Sequence, residues 1–338
     1  MSNRTIADNF LNAWQSGATE FIISSSGSTG QPKPFYLQRR YLEWSARNTH
    51  KHLNLQPDES IICCLPADKT GGFMMLVRAA VLGYPIVVTE PDADPMKHIP
   101  ENHLYTFISL VPLQLQAILS DPASVAKLNR FRHLLLGGSA IPADMEPALH
   151  KLNAAAWHTY GMTETYSHIA LRRLNGADAS ESFFPLTDVA IALDDRSCLA
   201  IKAPFTEGGW LQTNDIAELM PDGSFIISGR ADFIINSGGV KLQPERIEAL
   251  LREHVPELRE KLFAITSVPD ERLGEKAILV LEGAEYVIST ENLLSLNTLM
   301  PAYHVPKDII SIPVIPLTST SKPDRIKLKE LVSLRFHS

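Results

Sequence analysis

A stretch rich in glycine and hydroxyl side chains near the start of the chain has the composition of an anion-binding loop. An apolar segment at 21–23 leads into the sequence SSSGSTGQPK at 24–33. Gly27 and Gly30 allow backbone angles at which consecutive N–H groups point at one anion, while the hydroxyls and Lys33 add donors and a positive charge. This composition predicts the binding of a polyphosphate. A flexible serine and glycine linker has the same composition and stays an alternative.

Two further segments place polar side chains beside glycines. The sequence LLLGGSA at 134–140 is typical of a buried strand that ends in a strand-to-helix turn, or in a close approach of the backbone to a flat ligand. The sequence TYGMTE at 159–164 joins an aromatic ring, a glycine, a hydroxyl and a carboxylate. One carboxylate suffices for a Mg²⁺ ion that phosphates and water also bind. Glu164 equally fits the first turn of a helix, where the dipole favours a negative charge.

Arg78 stands out because the segment around it, 73–82, is otherwise apolar. A helix there would turn Arg78 inward, on the same side as Gly71 and Met74 at i, i+3 and i+7 spacing. A buried guanidinium needs an anion, which could be a carboxylate of the protein or a carboxylate of a substrate.

Composition narrows the class of protein. The 338 residues are 45% hydrophobic and 20% charged, which is ordinary for a globular protein with room for two domains. The net charge of −7 and the absence of a basic run argue against a nucleic-acid partner. Cys63, Cys64 and Cys198 are too few for a disulfide framework and unsuitably spaced for a metal site. Since no signal peptide or membrane-length apolar run appears, we expect a cytoplasmic protein.

The order of the segments predicts an α/β fold of mostly parallel sheets with helices. The predicted strands lie near 21–23, 61–66, 85–89, 105–111 and 133–136, and the predicted helices at 38–53, 69–82 and 112–119. Strands that alternate with helices indicate a mostly parallel sheet covered on both faces.

The pattern changes twice in the second half of the chain. Short strands at 189–219, with a hairpin turn at Asp222-Gly223, predict a small antiparallel or barrel-like layer. A smaller α+β unit follows, so we predict an N-terminal domain at 1–231 and a C-terminal domain at 232–338. Its predicted elements are a helix from Pro244, strands at 263–268, 277–282 and 309–315, a helix near 291–299 and a basic tail that would be a solvated surface.

Motifs spread over nearly the whole chain resemble, in order, those of the acyl-adenylate-forming (AMP-binding) ligases. This superfamily contains acyl-CoA synthetases, adenylation domains and luciferases. The matching segments are 25–33 for its phosphate loop, 159–164 for Y-G-x-T-E, 213–215 for T-G-D, 229–232 and 236–248 for its hinge and following loop, and 316–325 for the motif of its last lysine. Within the superfamily, GMTETYSHIA at 161–170 is similar to the short o-succinylbenzoate–CoA ligases of menaquinone biosynthesis.

The resemblance implies ATP, Mg²⁺ and coenzyme A as cofactor and substrates. For ATP or AMP it implies Ser25, Ser26, Gly27, Ser28, Thr29, Gly30, Lys33, Gly138, Ser139, Thr159, Tyr160, Gly161, Asp215 and Arg230. It implies catalysis by Lys322, Thr163 and Glu164, with Glu164 also the metal ligand and Asp232 the hinge. For coenzyme A it implies Gly238, Gly239 and Lys241, and for the carboxylic acid Lys69, Arg78, Gly137 and Gly138.

The chain departs from the superfamily at three places. Asn214 replaces a glycine, and asparagine is the commonest non-glycine residue that tolerates left-handed angles. Ser321 replaces the glycine before Lys322, so that Lys327 or Lys329 stays an alternative catalytic lysine. Only 24 residues precede the phosphate loop, which leaves open how the first sheet is covered and favours a homodimer.

We therefore predict an ATP-dependent acid–CoA ligase that forms an acyl-AMP intermediate and then an acyl-CoA thioester. The acid would be o-succinylbenzoate. Three alternatives stay open: a ligase of another aryl or acyl acid, an adenylating enzyme that loads a carrier protein, and a truncated, non-catalytic nucleotide-binding protein.

Overall fold

The computed structural model describes residues 1–25, 33–142, 145–259, 261–283, 304–318 and 322–336. The chain divides into two compact units. Unit 1 comprises Met1–Ile191, Ile201–Leu211 and Met220–Ile226, and unit 2 comprises Ala192–Ala200, Gln212–Leu219 and Ile227–Ser338. Within the described residues, none of the helices combines the length and the apolar composition that crossing a membrane requires.

Unit 1 contains a seven-stranded sheet and an antiparallel hairpin. Its helices are α1 (Asn3–Gln15), α2 (Arg39–Leu53), α3 (Thr70–Leu82), α4 (Pro112–Leu119), α5 (Pro122–Leu128) and α6 (Glu146–Leu149). Strands β1 (Glu20–Ser25) and β2 (Lys33–Gln38) form the hairpin. The sheet strands are β3 (Ile61–Cys63), β4 (Ile86–Val88), β5 (Phe107–Leu110), β6 (His133–Leu136), β7 (Ala155–Met162), β8 (Ser167–Arg173) and β9 (Phe184–Pro185).

The strand order is β4-β3-β5-β6-β7-β8-β9. Neighbours from β4 to β7 are parallel, and β7, β8 and β9 pair antiparallel. Successive strand residues alternate between two apolar cores. Ile62 and Ile108 belong to the core that contains side chains of α4 and α5, whereas Ile61 and Phe107 belong to the core that contains side chains of α3. Because both faces are covered, these strands are continuous apolar runs, and the predicted mostly parallel sheet is confirmed.

Helix α1, which the sequence pattern did not reveal, covers the β1–β2 hairpin. Phe10 packs edge-on against Phe73 of α3 with ring centroids 5.0 Å apart, and Trp14 stacks on Phe21 of β1 at 5.3 Å. The Asn3 amide donates to the carbonyls of Leu65 and Thr89 at 3.0 and 2.7 Å, which fixes the start of the helix. Helix α1 therefore covers the β1–β2 hairpin, a contribution that the sequence did not predict.

A four-stranded antiparallel sheet follows, in the order β10 (Ala190–Leu193), β11 (Cys198–Lys202), β12 (Leu211–Leu219) and β13 (Phe225–Arg230). The turn between its last two strands is a hairpin, as predicted. The Met220 N–H donates to the Ser224 carbonyl at 2.8 Å, and Gly223 has a φ of 84° that favours glycine.

The rest of unit 2 is an α+β layer. Its elements are β14 (Ile235–Ser237), β15 (Val240–Leu242), α7 (Pro244–His254), β16 (Phe263–Asp270), β17 (Gly274–Glu282), β18 (Asp308–Ile312) and α8 (Arg325–Phe336). Strand β17 pairs antiparallel with β14 and β16 and parallel with β18. Ile265 and Leu279 share a core with side chains of α7, and Ala264 and Val280 share one with side chains of α8.

The basic tail is a packed helix rather than only a solvated surface. Leu328 and Val332 of α8 are fully buried, because i, i+4 spacing places both on one face. The predicted helix near 291–299 lies outside the described residues. The boundary between residues 231 and 232 stays a prediction.

A buried carboxylate stabilises one edge of the parallel sheet. Glu59 is 1% exposed, and its carboxylate lies 3.3 Å from His133 Nε2 and accepts a hydrogen bond from Thr106 Oγ1. Burial by itself would raise the pKa of Glu59. The hydrogen bonds from His133 and Thr106 outweigh it and lower the pKa to about 2.

Replacing Glu59 by glutamine is expected to lower the free energy of unfolding by about 3 kcal/mol at neutral pH. The folded pKa lies below the ordinary value of 4.5, so this stability is present above that value and is lost as the pH falls toward about 2. All four tryptophans lie in unit 1, so tryptophan fluorescence in urea reports this unit.

The difference in free energy of unfolding between wild type and Glu59→Gln should therefore fall, near about pH 3, to less than half of its value at neutral pH. Asp58→Asn is the matched control, because Asp58 pairs with the neighbouring Arg132 but its side chain is 75% exposed. A gap that stays constant with pH would show that Glu59 is not the titrating group.

Candidate active site

Two glycines after β6 bring the backbone against β7 at the carboxyl end of the parallel strands. A Cβ on Gly137 would overlap Thr159 Oγ1, and Gly138 has a φ of 83° that favours glycine. Thr159 Oγ1 donates to the Leu136 carbonyl at 3.1 Å, and the Ser139 carbonyl lies 3.1 Å from His158 Nε2. This is the edge of an open α/β sheet at which ligands bind, so the position of Gly137 and Gly138 suits a flat ligand.

Tyr160 and Gly161 lie in β7, next to the bulge in its pairing with β8. The Tyr160 ring is half-buried and meets Phe225 edge-on, with centroids 5.3 Å apart. A Cβ on Gly161 would lie 2.5 Å from His168 Cα and still nearer the Ser167 carbonyl. The close approach of β8 thus accounts for the glycine, independently of any ligand.

Thr163 and Glu164 lie in a single 3₁₀ turn, Thr163–Thr165, between β7 and β8. The Thr163 hydroxyl is 2.8 Å from the Thr70 hydroxyl at the start of α3. Glu164 is exposed, and no described residue forms a hydrogen bond or ion pair with its carboxylate. Among the described residues, no three His, Cys, Asp or Glu side chains gather as a metal site. A Mg²⁺ ion bound by one carboxylate, phosphates and water fits this donor set, whereas an all-protein metal cage does not.

The predicted phosphate loop connects the two strands of the β1–β2 hairpin. Ser25 ends β1 and pairs with Lys33 at the start of β2. The residues between them that were predicted to bind phosphate lie outside the described residues: Ser26, Gly27, Ser28, Thr29 and Gly30.

Unit 2 contains a charged cluster built from three predicted site residues. Arg230 forms ion pairs with Asp215 at 2.9 Å and with Asp232 at 2.6 Å. Asn214 donates to Asp232 at 2.9 Å from within β12. Asn214 does not use the left-handed angles that asparagine tolerates, because its backbone is extended, and its side chain holds Asp232 instead.

Lys322 lies within the electrostatic range of this charged cluster. Its exposed side chain is still partly desolvated by nearby protein, which lowers its pKa, while Asp215 raises it and Arg230 lowers it. The Lys322 carbonyl accepts a hydrogen bond from the Thr318 N–H at 2.7 Å.

The two alternative lysines are already paired elsewhere. Lys327 forms an ion pair with Asp324 at 3.0 Å, and Lys329 forms one with Glu275 at 2.6 Å. Arg325, which sequence reasoning did not single out, binds Glu248 of α7 at 2.7 Å and so anchors the start of α8. This arrangement favours Lys322, rather than Lys327 or Lys329, as the catalytic lysine.

Gly238 and Gly239 form the turn between β14 and β15. Their φ angles of 59° and 81° are those of a two-residue hairpin turn, which accounts for both glycines. Lys241 is exposed in β15. The assignment of these three residues to coenzyme A stays a prediction.

Two of the residues predicted to bind the acid, Lys69 and Arg78, lie at the start of α3 and within it. Lys69 precedes its first turn and is 3.7 Å from Asp68. Arg78 is 2% exposed, and burial lowers its pKa to about 10, so the guanidinium stays charged at neutral pH. Among the described residues no carboxylate pairs with it.

The neighbours of Arg78 are neutral, and sequence reasoning missed them. Arg78 Nη2 donates to Ser167 Oγ at 3.0 Å and lies 3.4 Å from His168 Nδ1, while Nε lies 3.4 Å from Thr49 Oγ1. The signal that could have revealed His168 is a histidine within the otherwise apolar run HIAL of β8.

Comparison with known proteins identifies the class. The family model of the AMP-binding enzymes matches residues 10–207. The chain belongs to this family.

The relatives that match this chain over most of its length carry the names of CoA ligases or acyl-CoA synthetases. The chain is 28% identical to a 2-succinylbenzoate–CoA ligase of Listeria monocytogenes, over 95% of this chain and 72% of that protein. It is 35% identical to a solved acyl-CoA synthetase (AMP-forming)/AMP-acid ligase II-like protein of Dyadobacter fermentans, with a TM-score of 0.65 over 98% of this chain and 94% of that one. The fold also resembles the o-succinylbenzoate CoA synthetase of Bacillus subtilis solved with its acyl-adenylate intermediate, with a TM-score of 0.76 at 22% identity over 91% of this chain and 68% of that one.

Proposed function

We propose that the protein is an ATP-dependent acid–CoA ligase whose acid is o-succinylbenzoate, as in menaquinone biosynthesis. The observation that supports ligase chemistry is that Lys322 lies in the electrostatic field of the Asp215–Arg230 pair, although about a hundred residues separate it from them in the chain. Binding alone needs no such lysine. The choice of a dicarboxylic acid rests on Arg78, a buried cation without a described carboxylate partner.

In the first half-reaction the acid carboxylate attacks the α-phosphorus of ATP and pyrophosphate leaves. In unit 1, Tyr160 would stack on the adenine and Thr163 would bind a phosphate oxygen. Glu164 would hold Mg²⁺, which neutralises phosphate charge when bound. In unit 2, Asp215 and Arg230 would bind the ribose, and Lys322 would stabilise the charge that develops between carboxylate and phosphate.

In the second half-reaction the thiol of coenzyme A attacks the acyl carbonyl, and AMP leaves. Gly238, Gly239 and Lys241 would lie along the pantetheine of coenzyme A. Neither step needs a protein nucleophile. The three cysteines are free and buried, as suits the proposed cytoplasmic location.

A pyrophosphate-release assay over a panel of carboxylic acids, with and without coenzyme A, tests this function. We expect o-succinylbenzoate to give the highest kcat/KM and coenzyme A to be converted to its thioester. Release with a different acid would reassign the substrate. Release without thioester formation would favour a carrier-protein-loading enzyme, and no release with any acid would favour the non-catalytic alternative.

We also propose a homodimer, in which the outward pair Ile22 and Tyr36 would be a contact. These cross-strand neighbours in the β1–β2 hairpin are 61% and 56% exposed. Light scattering measures the mass in solution, and a monomer at micromolar concentration would contradict this part of the proposal.

Asp232→Pro is expected to spare one half-reaction and strongly impair the other, because proline fixes φ and restricts the residue before it. The prediction follows from the proposal that Asp232 is the hinge between two conformations of the enzyme. Asp232→Ala is the matched control, since it removes the contacts to Asn214 and Arg230 but leaves the backbone free. The two half-reactions are measured separately, by pyrophosphate release and by thioester formation from synthetic acyl-AMP. Equal losses in both, or no difference between the proline and alanine variants, would count against a hinge at this residue.

A further inference from the structure

The buried guanidinium of Arg78 is held by side chains that carry no negative charge. Ser167 accepts a hydrogen bond from it at 3.0 Å, and the imidazole of His168 lies 3.4 Å away. His168 is itself buried, at 5% exposure. A carboxylate in place of the imidazole would orient the guanidinium at least as well, because charge-assisted hydrogen bonds are shorter and stronger. It would also neutralise the positive charge.

Hydrogen bonding determines which nitrogen of His168 faces Arg78 as an acceptor. The Thr49 hydroxyl donates its proton to the Ser45 carbonyl at 3.0 Å, so toward His168 it can only accept. His168 Nε2, 3.0 Å from Thr49 Oγ1, must therefore carry the proton, and Nδ1 presents a lone pair to Arg78 Nη2. Burial first, and the charge of Arg78 second, lower the pKa of His168 well below its usual value, which keeps the ring neutral.

We infer that His168 is a positioning residue that holds Arg78 through a neutral acceptor and so leaves its charge available for the second carboxylate of the acid. This rests on the proposed function, because it assigns a role within the recognition of a dicarboxylic substrate. A buried cation without a counter-ion is costly to the free protein. A substrate carboxylate would relieve that cost, whereas an acid with a single carboxylate would not. The neutral hydrogen-bond partners thus leave the charge of Arg78 uncompensated in the free protein. Binding of an acid with two carboxylates would therefore be favoured over binding of an acid with one.

The test compares two variants of nearly identical shape, His168→Asn and His168→Asp. Asparagine can place a neutral acceptor where Nδ1 lies, and aspartate places a negative charge there. The measured quantity is the ratio of kcat/KM for o-succinylbenzoate to kcat/KM for an analogue without the ring carboxylate. We expect the asparagine variant to keep most of the wild-type ratio. The aspartate variant should lower it at least about tenfold through the KM of the diacid, a difference equivalent to about 1.4 kcal/mol.

A second measurement tests whether the aspartate variant is folded. Because the new carboxylate would pair with Arg78, His168→Asp should resist urea at least as well as His168→Asn in the tryptophan fluorescence assay. Thr49→Val provides an independent variant. It removes the hydroxyl that selects the tautomer without adding charge, and it should lower the diacid ratio while leaving the KM for ATP unchanged.

The outcomes separate this inference from the proposed function. Equal ratios in the asparagine and aspartate variants, with the wild-type ratio large, would overturn the role of His168 and leave the substrate assignment intact. A wild-type ratio near one would instead overturn the assignment of a dicarboxylic substrate, whatever the variants show. A low ratio only in His168→Asp and Thr49→Val supports the inference.

Discussion

Lys322→Ala is expected to slow adenylate formation by ~10²–10³-fold while leaving the reaction of acyl-AMP with coenzyme A close to wild type. The reason is that the ammonium would stabilise charge that develops only in the first transition state. Pyrophosphate release measures the first half-reaction, and thioester formation from synthetic acyl-AMP measures the second. Equal losses in both would show that Lys322 has another role.

Two neighbouring lysines provide matched controls for this experiment. Lys327 and Lys329 carry the same charge on the same segment but are already paired with Asp324 and Glu275. Lys327→Ala and Lys329→Ala should therefore keep most of the adenylation rate. If either one loses more activity than Lys322→Ala, the catalytic lysine has been misassigned.

Arg78→Leu is expected to raise the KM for o-succinylbenzoate at least about 30-fold and to leave the KM for ATP nearly unchanged. Truncating one partner of a buried, hydrogen-bonded charge pair costs ~2–5 kcal/mol, and the lower limit corresponds to that factor. The ratio of kcat/KM for o-succinylbenzoate to kcat/KM for an analogue without the ring carboxylate should fall, because the analogue makes no contact with Arg78. Comparing kcat/KM for the two acids in wild type and variant measures the interaction energy between Arg78 and the ring carboxylate.

The stability of the same variant distinguishes a substrate-binding role from a structural one. Since no described carboxylate pairs with Arg78, removing its charge leaves no buried anion behind. The free energy of unfolding of Arg78→Leu should therefore be no lower than that of wild type, whereas breaking a buried ion pair costs ~3–5 kcal/mol. A clear loss of stability, with both acids affected equally, would make Arg78 a structural residue.

Most elements of the fold could be predicted because their signals are local. The helices α3 and α4 and the strand β6 begin and end within a residue or so of their predicted bounds. Each is a contiguous apolar or periodic run bounded by proline, glycine or polar residues. Helix α1 escaped prediction, since its apolar face, Ala7, Phe10 and Trp14, is short and takes its stability from aromatic packing against α3 and β1.

The candidate site was predictable to the extent that its residues stand in contiguous motifs. Tyr160, Thr163 and Glu164 belong to one such motif, and the structure places them together because they follow one another along β7 and its turn. Asn214 shows the limit of this reasoning. A substitution for glycine suggested left-handed angles, whereas the residue is extended and bonds to Asp232. The contact that explains it lies eighteen residues further along the chain.

The sequence by itself determined the order of most strands and helices, the family motifs and the unusual isolation of Arg78 among apolar residues. These features depend on residue type and on spacing of a few positions, which local geometry translates directly into structure. Only the tertiary structure decided that the described hydrogen-bond partners of Arg78 are neutral. It also decided that Lys322 lies in the field of Asp215 and Arg230, whereas Lys327 and Lys329 pair with Asp324 and Glu275. Such contacts join residues up to about a hundred positions apart, and their charge balance depends on which side chains the packed chain brings together.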